Sequence, residues 1–448
     1  MRAPVLLLGF VLLLVGSGSA LAASDCDDAL APGHAYETYR TVWRKLKKGA
    51  EPRSVEHLGC FLPDGTAGLD ADGAYRLLIT TAFDANVLYD YLEAQAEQVL
   101  RTTRNLGQRR GGQLAWNGGY VCEAALTAYQ QTGDRRFLDL FVTYFNGVLD
   151  LRDSELGYGD EYHRRIMAAW GEYRELPWFW ADPLRQGAWL AHITHTARIT
   201  YPASKFAVIV KNDPALAAYK PDADRFIAAT RTAIAEFDDD RFPIEGTDMD
   251  WYARPVTGGP EATNHIHTLG SVLVNLFLLD GDEDAAKRVR DILKIFEAGV
   301  TTEADDTVHW KYFPYFADQS IGNNGLEYSE RIWKASQTVP LIYRAYAAGF
   351  DVPESLVRAI TDTFLRYIVR DNEVIGNVSP TESEPIDEED DNLSRLSGIV
   401  TWLEFSDYEP EIAVRIRELV GARPDLFPRG WFESPNSARG YAFFLGRD

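Results

Sequence analysis

Three stretches of this chain repeat one order of parts: an apolar helix-forming run, a short turn of glycine and aspartate, then a more charged helix-forming run. They are YVCEAALTAYQQTGDRRFLDLFVTYFNGVL from Tyr120, LGSVLVNLFLLDGDEDAAKRVRDILKIFEAG from Leu269 and TVPLIYRAYAAGFDVPESLVRAITDTFLRYI from Thr338. Apolar residues recur in them at three- and four-residue spacing, the period of a helix with one buried face. Looser versions turn at Asn212–Asp213 and Ser406–Asp407, and an earlier helical stretch covers Ala74 to Arg104. Strand signals are scarce. A helical hairpin cannot bury its apolar face alone, so hairpins stack into an open solenoid or close into a ring. Here the repeats differ in length and carry long aromatic-rich insertions, such as Gly157 to Trp180, which favours the ring. The pattern predicts an all-α fold, an (α/α)6-7 toroid over residues 71–448, after a lead segment over 23–70 and with no linker between domains.

The first residues, MRAPVLLLGFVLLLVGSGSALAAS, combine a basic start at Arg2, an apolar run from Val5 to Val15 and the small-residue pattern Ala20-Leu21-Ala22. This is the form of a signal peptide over 1–22, and it predicts a secreted or periplasmic protein that starts near Ala23. The apolar run is too short to span a membrane. Of the three cysteines, Cys26 and Cys60 are expected to form a staple, and Cys122 sits in an apolar helix as a small buried residue; three unpaired thiols are the alternative. Net charge is −22, from 67 acidic against 45 basic residues, which argues against nucleic acid or a membrane surface as partner. The acidic run Thr381 to Asn392 reads as a solvated loop, with a calcium site as the sharper alternative. A monomer is expected.

Six of the eight histidines lie between His163 and His309, and the segment from Trp251 to Phe316 holds Arg254, Asn264, His265, His267, His309, Lys311, Tyr312 and Tyr315. Imidazole titrates near neutrality and a phenol exchanges a proton once its pKa is lowered. Together with Asn and a cation, these groups suit abstraction of a proton next to a carboxylate, the chemistry of a lyase acting on a uronic-acid polymer. Asn264 and His265 follow Gly258-Gly259-Pro260 at the expected start of a helix, where free N–H groups favour a bound anion. The bland alternative is that Thr263 or Asn264 caps the helix and both histidines pack.

The Asn264-His265 pair followed by Tyr312-Phe313-Pro314-Tyr315 resembles the alginate and glucuronan lyases built on an α/α toroid, which carry an Asn-His pair and, about fifty residues later, an Arg followed by Tyr-Phe and a catalytic Tyr. The resemblance implies β-elimination; no cofactor and no metal are expected. Asn264 and a cation would meet the charge that builds on the C6 carboxylate, and Tyr315 would serve as base and acid, or as acid beside His265. Two departures stand out: His309 occupies the place of the Arg, and the spacing to Tyr315 depends on how Tyr-Phe-Pro-Tyr is aligned. The cation would then be Arg254, Lys311 or a residue of the segment Arg331 to Lys334.

An anionic polysaccharide needs a local basic, aromatic cleft in so acidic a chain. Tyr158 to Trp189 holds eight aromatics in 32 residues, about double the 12% of the whole chain, interleaved with basic residues. Tyr162, His163, Arg164, Arg165, Trp178, Trp189, His192 and Arg331 are the expected substrate contacts, with Tyr312, Lys311 and His267 from the central segment. Half of those aromatics are expected to be core. His192 and His195 share a helix face and suit a metal by type, but no HExxH accompanies them and cleft-lining is the preferred reading. Two other classes remain open. A toroidal glycoside hydrolase or epimerase would use paired carboxylates such as Asp160, Glu161, Glu245, Asp248, Asp250 and Glu327, and a glycan-binding protein would bind without product.

Overall fold

The computed structural model describes residues 37–42, 56–61, 83–106, 110–175, 187–255, 259–317, 329–370, 373–379, 396, 398–422, 430–432 and 434–447. Two units share the chain, Met1–Ala82 and Phe83–Asp448. In the first, β1 (Glu37–Val42) pairs antiparallel with β2 (Glu56–Phe61). The expected leader, Cys26 of the expected staple and the acidic run Thr381 to Asn392 lie outside the described residues.

In the second unit the repeating hairpins are present. They are α2 (Gly119–Thr132) with α3 (Arg136–Leu149), α4 (Ile193–Asn212) with α5 (Lys220–Ala235), α6 (Thr263–Asp280) with α7 (Glu283–Gly299), and α8 (Ile332–Ala347) with α9 (Glu354–Thr363). A 3-10 segment, Val400–Asp407, pairs in the same way with α10 (Glu411–Ala422). Helix α1 (Ala85–Leu106) packs against α2 and α3 and also against α11 (Pro435–Phe444).

The turn residues do what the pattern predicts. Gly133, Gly281 and Gly349 follow α2, α6 and α8 with φ of 70°, 74° and 84°, a left-handed conformation that side chains disfavour and that ends a helix cleanly. Asp282 then caps α7 by accepting from the Ala285 N–H at 3.0 Å.

The first helix of each of the five consecutive pairs lies inside, and α11 is the sixth inner helix. α2 packs on α4, α4 on α6, α6 on α8, α8 on the 3-10 segment, that segment on α11, and α11 back on α2, which closes the ring. The fold is therefore an all-α toroid, with an inner and an outer layer and apolar residues between them. Phe141 and Phe145 of α3, Phe206 of α4 and Phe226 of α5 form one such interlayer cluster, with ring centroids 4.8 Å apart for Phe141–Phe206 and Phe145–Phe226. Among the described residues no helix is long and apolar enough to cross a membrane.

Each inner helix returns through an outer one, so all inner helices run the same way and their N-termini gather at one end. Short hairpins precede them there: β5 (Gly171–Glu175) with β6 (Gly187–Ala191) before α4, β7 (Arg241–Pro243) with β8 (Asp250–Tyr252) before α6, and β9 (Val300–Thr302) with β10 (Val308–Trp310) before α8. These, with β3 (Gly159–Asp160) and β4 (Arg165–Ile166), are among the strands the sequence pattern passes over. Strands of two to five residues are too short to show alternation.

A buried charge network joins the inner helices. Glu123 of α2 meets Arg198 of α4 at 2.7 Å, Arg344 of α8 at 3.8 Å, and Arg439 of α11. Arg344 also holds Glu404 of the 3-10 segment, its Nε at 2.7 Å. Burial alone would raise the Glu123 carboxyl, but the three guanidiniums outweigh it and bring it down to about 2. Removing a partner from such a set leaves an uncompensated buried charge. Glu123→Ala should therefore cost about 3–5 kcal/mol, read from the denaturant midpoint at unchanged m-value. A loss below about 1 kcal/mol would mean the network does not hold the ring.

Candidate active site at the N-terminal end of the inner ring

The loop before α6 fixes one carboxylate. Ala253 bridges Pro260, the Arg254 N–H donates to the Gly259 carbonyl at 2.7 Å, and the Glu261 N–H donates to the Tyr252 carbonyl at 2.8 Å. The buried Trp251 ring closes the loop by donating to the Glu261 carbonyl at 2.9 Å. With its backbone held at both ends, Glu261 is fully buried two residues ahead of α6.

Four groups converge on that carboxylate. The Ala262 N–H donates to Oε1 at 2.9 Å, His265 Nδ1 lies 2.8 Å from the same oxygen, His192 Nε2 lies 3.2 Å from Oε2, and Arg254 Nε is 3.8 Å from Oε1. Burial works against the charged form, but His192 and His265 overcome it and hold the Glu261 carboxyl well below its usual range. An ionised carboxylate only accepts, so His265 carries its proton on Nδ1 and keeps the lone pair of Nε2 free. Burial outweighs the pull of Glu261 on His265 and lowers that ring to about 4, so it is neutral at pH 7.

His192, Glu261 and His265 offer ligand atoms all within 4.8 Å of one another, the residue types of a divalent metal site. Their protons do not fit one. A metal-bound imidazole turns a lone pair to the ion and donates from its other nitrogen. His192 instead accepts the Thr194 N–H at Nδ1, at 3.2 Å, so its proton sits on the nitrogen that faces Glu261. The arrangement is a carboxylate clamp on two histidines.

From this clamp a row of rings runs along the helix ends. Centroid separations are 5.6 Å for Trp116–His195, 5.5 Å for His195–His192, 5.2 Å for His192–His265 and 6.3 Å for His265–Tyr312. Tyr312 is tied to α6 by its carbonyl, which accepts the Thr263 N–H at 3.0 Å, and Lys334 Nζ stands 3.5 Å from the centroid of its ring. Asn264 is buried beside His265 in the first turn of α6, and its Oδ1 has no hydrogen-bond partner among the described residues. The N-cap position belongs to Ala262, so neither Thr263 nor Asn264 is used as a cap. Arg254 lies over the Phe313 ring, 4.8 Å from its centroid.

The expected site residues thus divide. Asn264, His265, His192, Arg254 and Tyr312 come together. Tyr315 is 49% exposed, stands on Phe316 and over Gly299 at the end of α7, and no contact joins it to His265. His309 points from β10 to Glu303, with Nδ1 3.0 Å from Oε1. His267 is fully enclosed between α6 and α8, where its Nδ1 bonds the Thr338 carbonyl at 2.9 Å and its ring meets Phe296, a place in the core rather than on a cleft wall. Lys311 and Arg331 are exposed, one bridging Ser329 and the other Asn377.

In the aromatic segment, Trp170 is core, and Trp189 is 9% exposed, with its Nε1 bonded to Asp153 at 3.0 Å and its ring stacked on Tyr158. Tyr162 and Arg164 are exposed, whereas Arg165 is committed to Glu236 at 3.1 Å. Trp178 lies outside the described residues. His163 is clamped between Asp160 and Asp240, at 3.0 and 3.1 Å, and ties the β3–β4 turn to the end of α5's connection. Sequence reasoning missed Glu261, Glu330 and Trp116. For Glu261 the one available signal was a carboxylate four residues before His265 in PEATNH.

The sequence matches no protein-family model and no curated protein. Among solved structures, the chain is similar to the α-1,6-mannanase of Salegentibacter sp. HEL1_6, at 10% identity over 81% of this chain and 99% of that one, with a TM-score of 0.46. A sugar epimerase from a ruminal bacterium aligns at 13% identity over 67% and 74%, with a TM-score of 0.43. A polysaccharide lyase aligns at 9% identity over 80% and 95%, with a TM-score of 0.40.

His163 gives a pH test of this geometry. Burial would lower its pKa, but Asp160 and Asp240 raise it to about 9. Its folded pKa lies above the unfolded value of about 6.5. The stabilisation is therefore complete below pH 6.5 and is lost as pH rises toward 9. Melting curves across that range should show a fall in Tm that His163→Asn removes; an equal fall in both proteins would dissolve the clamp.

Proposed function

We propose that this chain is a lyase that cleaves a uronic-acid polymer, alginate or glucuronan, by β-elimination, acting after export from the cell. The observation that carries the reading is the clamp on Glu261, which leaves a neutral His265 with a free Nε2 beside the Tyr312 ring. In the proposed reaction His265 takes the proton from C5 as negative charge accumulates on the C6 carboxylate. The C5–H electron pair forms the C4–C5 double bond, the C4–O4 bond breaks, and Tyr312 gives its proton to the leaving O4. Tyr312 takes the role that the sequence motif suggests for Tyr315, because the former lies edge-on to His265 and the latter faces solvent.

The second reading is a toroidal hydrolase, and one observation favours it. Burial raises Glu330 to about 7 while Glu261 is held ionised, the divergence expected of an acid and its partner carboxylate. Both carboxylates are fully buried, and Glu330 accepts from Trp310 Nε1 at 2.5 Å, so neither presents an oxygen to a sugar. For this reason elimination ranks first.

Incubation of the mature chain with alginate and glucuronan should give a product absorbing in the ultraviolet, the signature of a 4,5-unsaturated uronate. Tyr312→Phe and His265→Ala should each lower kcat by orders of magnitude, while Tyr315→Phe stays within a few-fold of wild type. New reducing ends without absorbance would move the assignment to the hydrolase, and binding without any product would leave a glycan-binding protein. Because His265 must be neutral to act, the acid limb of kcat/KM should fall near pH 4 rather than pH 6.5; a limb at 6.5 or above would remove His265 as the base.

A further inference from the structure

An acidic sugar needs a cation where its carboxylate docks, in a chain whose net charge is −22. Around Tyr312 the cations differ in what they already hold. Arg254 is engaged by Glu261 and covers Phe313. Lys334, in the first turn of α8, is different: among the described residues no carboxylate comes within ion-pair distance of its ammonium. Its close contacts are ring faces, Tyr312 at 3.5 Å and Trp333 at 5.2 Å from the centroids.

The surroundings of Lys334 keep it in place without neutralising it. Glu330, one helical turn earlier in the chain, is buried, and Trp310 Nε1 fixes one of its oxygens. Glu330 attracts Lys334, while Arg254 and Arg331 repel it, and burial lowers its pKa to about 8. A cation that is partly desolvated, seated on an aromatic face and left without a bonded anion is prepared for an anion from outside. It also adjoins the ring that the proposed reaction uses as its acid.

Resting on the lyase reading, we infer that Lys334 is the group that recognises the C6 carboxylate of the sugar at the cleavage point, with Glu330 as a positioning residue behind it. This makes the site selective for acid sugars over their neutral counterparts. Lys334 acts by direct charge-assisted hydrogen bonding, which Arg reproduces in part and Gln does not. Arg254 then serves to hold Glu261, and through it His265, rather than the substrate.

The test is calorimetric binding of a glucuronan tetrasaccharide and of its carboxyl-reduced, neutral counterpart to the full mature chain, alongside turnover of the polymer. Wild type should bind the acid tetrasaccharide about ten- to a hundred-fold more tightly than the neutral one. Lys334→Gln should erase that difference and Lys334→Arg should retain most of it, with melting temperatures near wild type; Lys334→Met replaces Gln if Gln impairs folding. Glu330→Gln should raise KM on the acid substrate with kcat largely kept, whereas a purely structural role would lower kcat and Tm together. Equal preference for the acid tetrasaccharide in wild type and folded Lys334→Gln overturns the inference, and so does a wild type that prefers neither sugar. Carboxylate preference that disappears in Lys334→Gln, in a protein that yields no unsaturated product, would sustain this assignment while ending the lyase reading.

Discussion

One buried carboxylate holds the ring together. Glu123 belongs to the first inner helix, and the guanidiniums that reach it come from α4, α8 and α11, the last of these 316 residues away in sequence. Arg198 and Arg344 lie against the faces of Tyr120 and Tyr201, at 4.1 and 3.9 Å from the centroids, so the charges are flanked by aromatic surface rather than by water. Apolar packing between inner and outer layers drives the hairpins together but is tolerant of register. A set of charges that must all be paired is not, and it fixes which helices close the circle.

Closure is what makes a site. Once the inner helices run the same way around a ring, the loops ahead of α4, α6 and α8 meet at one end, and residues far apart in sequence become neighbours. His192 arrives at the start of α4, Glu261 and His265 at the start of α6, Tyr312 by the strap after β10, and Lys334 in the first turn of α8. A second buried carboxylate, Glu261, then repeats at the mouth what Glu123 does on the axis. Here its partners include two imidazoles, so the outcome is an oriented, neutral His265 ring.

Much of the architecture was legible because it is periodic. The turn glycines Gly133, Gly281 and Gly349 and the apolar spacing around them define the hairpins without reference to tertiary structure. The Asn264-His265 pair was legible too, since residue type and a helix start announce it. What was not legible has no local signal. Glu261 is a lone acid in a loop, Glu330 sits just ahead of α8, and each gains meaning only from its neighbours in space. The choice between Tyr312 and Tyr315 depends on a backbone bond from Thr263 that no spacing rule contains. The same holds for His163 and His267, which look like cleft residues by type and are enclosed by carboxylates in one case and by helices in the other.

The functional account turns on the protonation of a single ring. Nitrogen-15 shifts of His265, followed by NMR from pH 8 down to pH 3.5, read its tautomer and its titration directly. The account predicts a neutral imidazole protonated on Nδ1 throughout the neutral range, taking up its second proton only near pH 4. A proton found on Nε2 at pH 7, or a titration at 6.5 or higher, would contradict it.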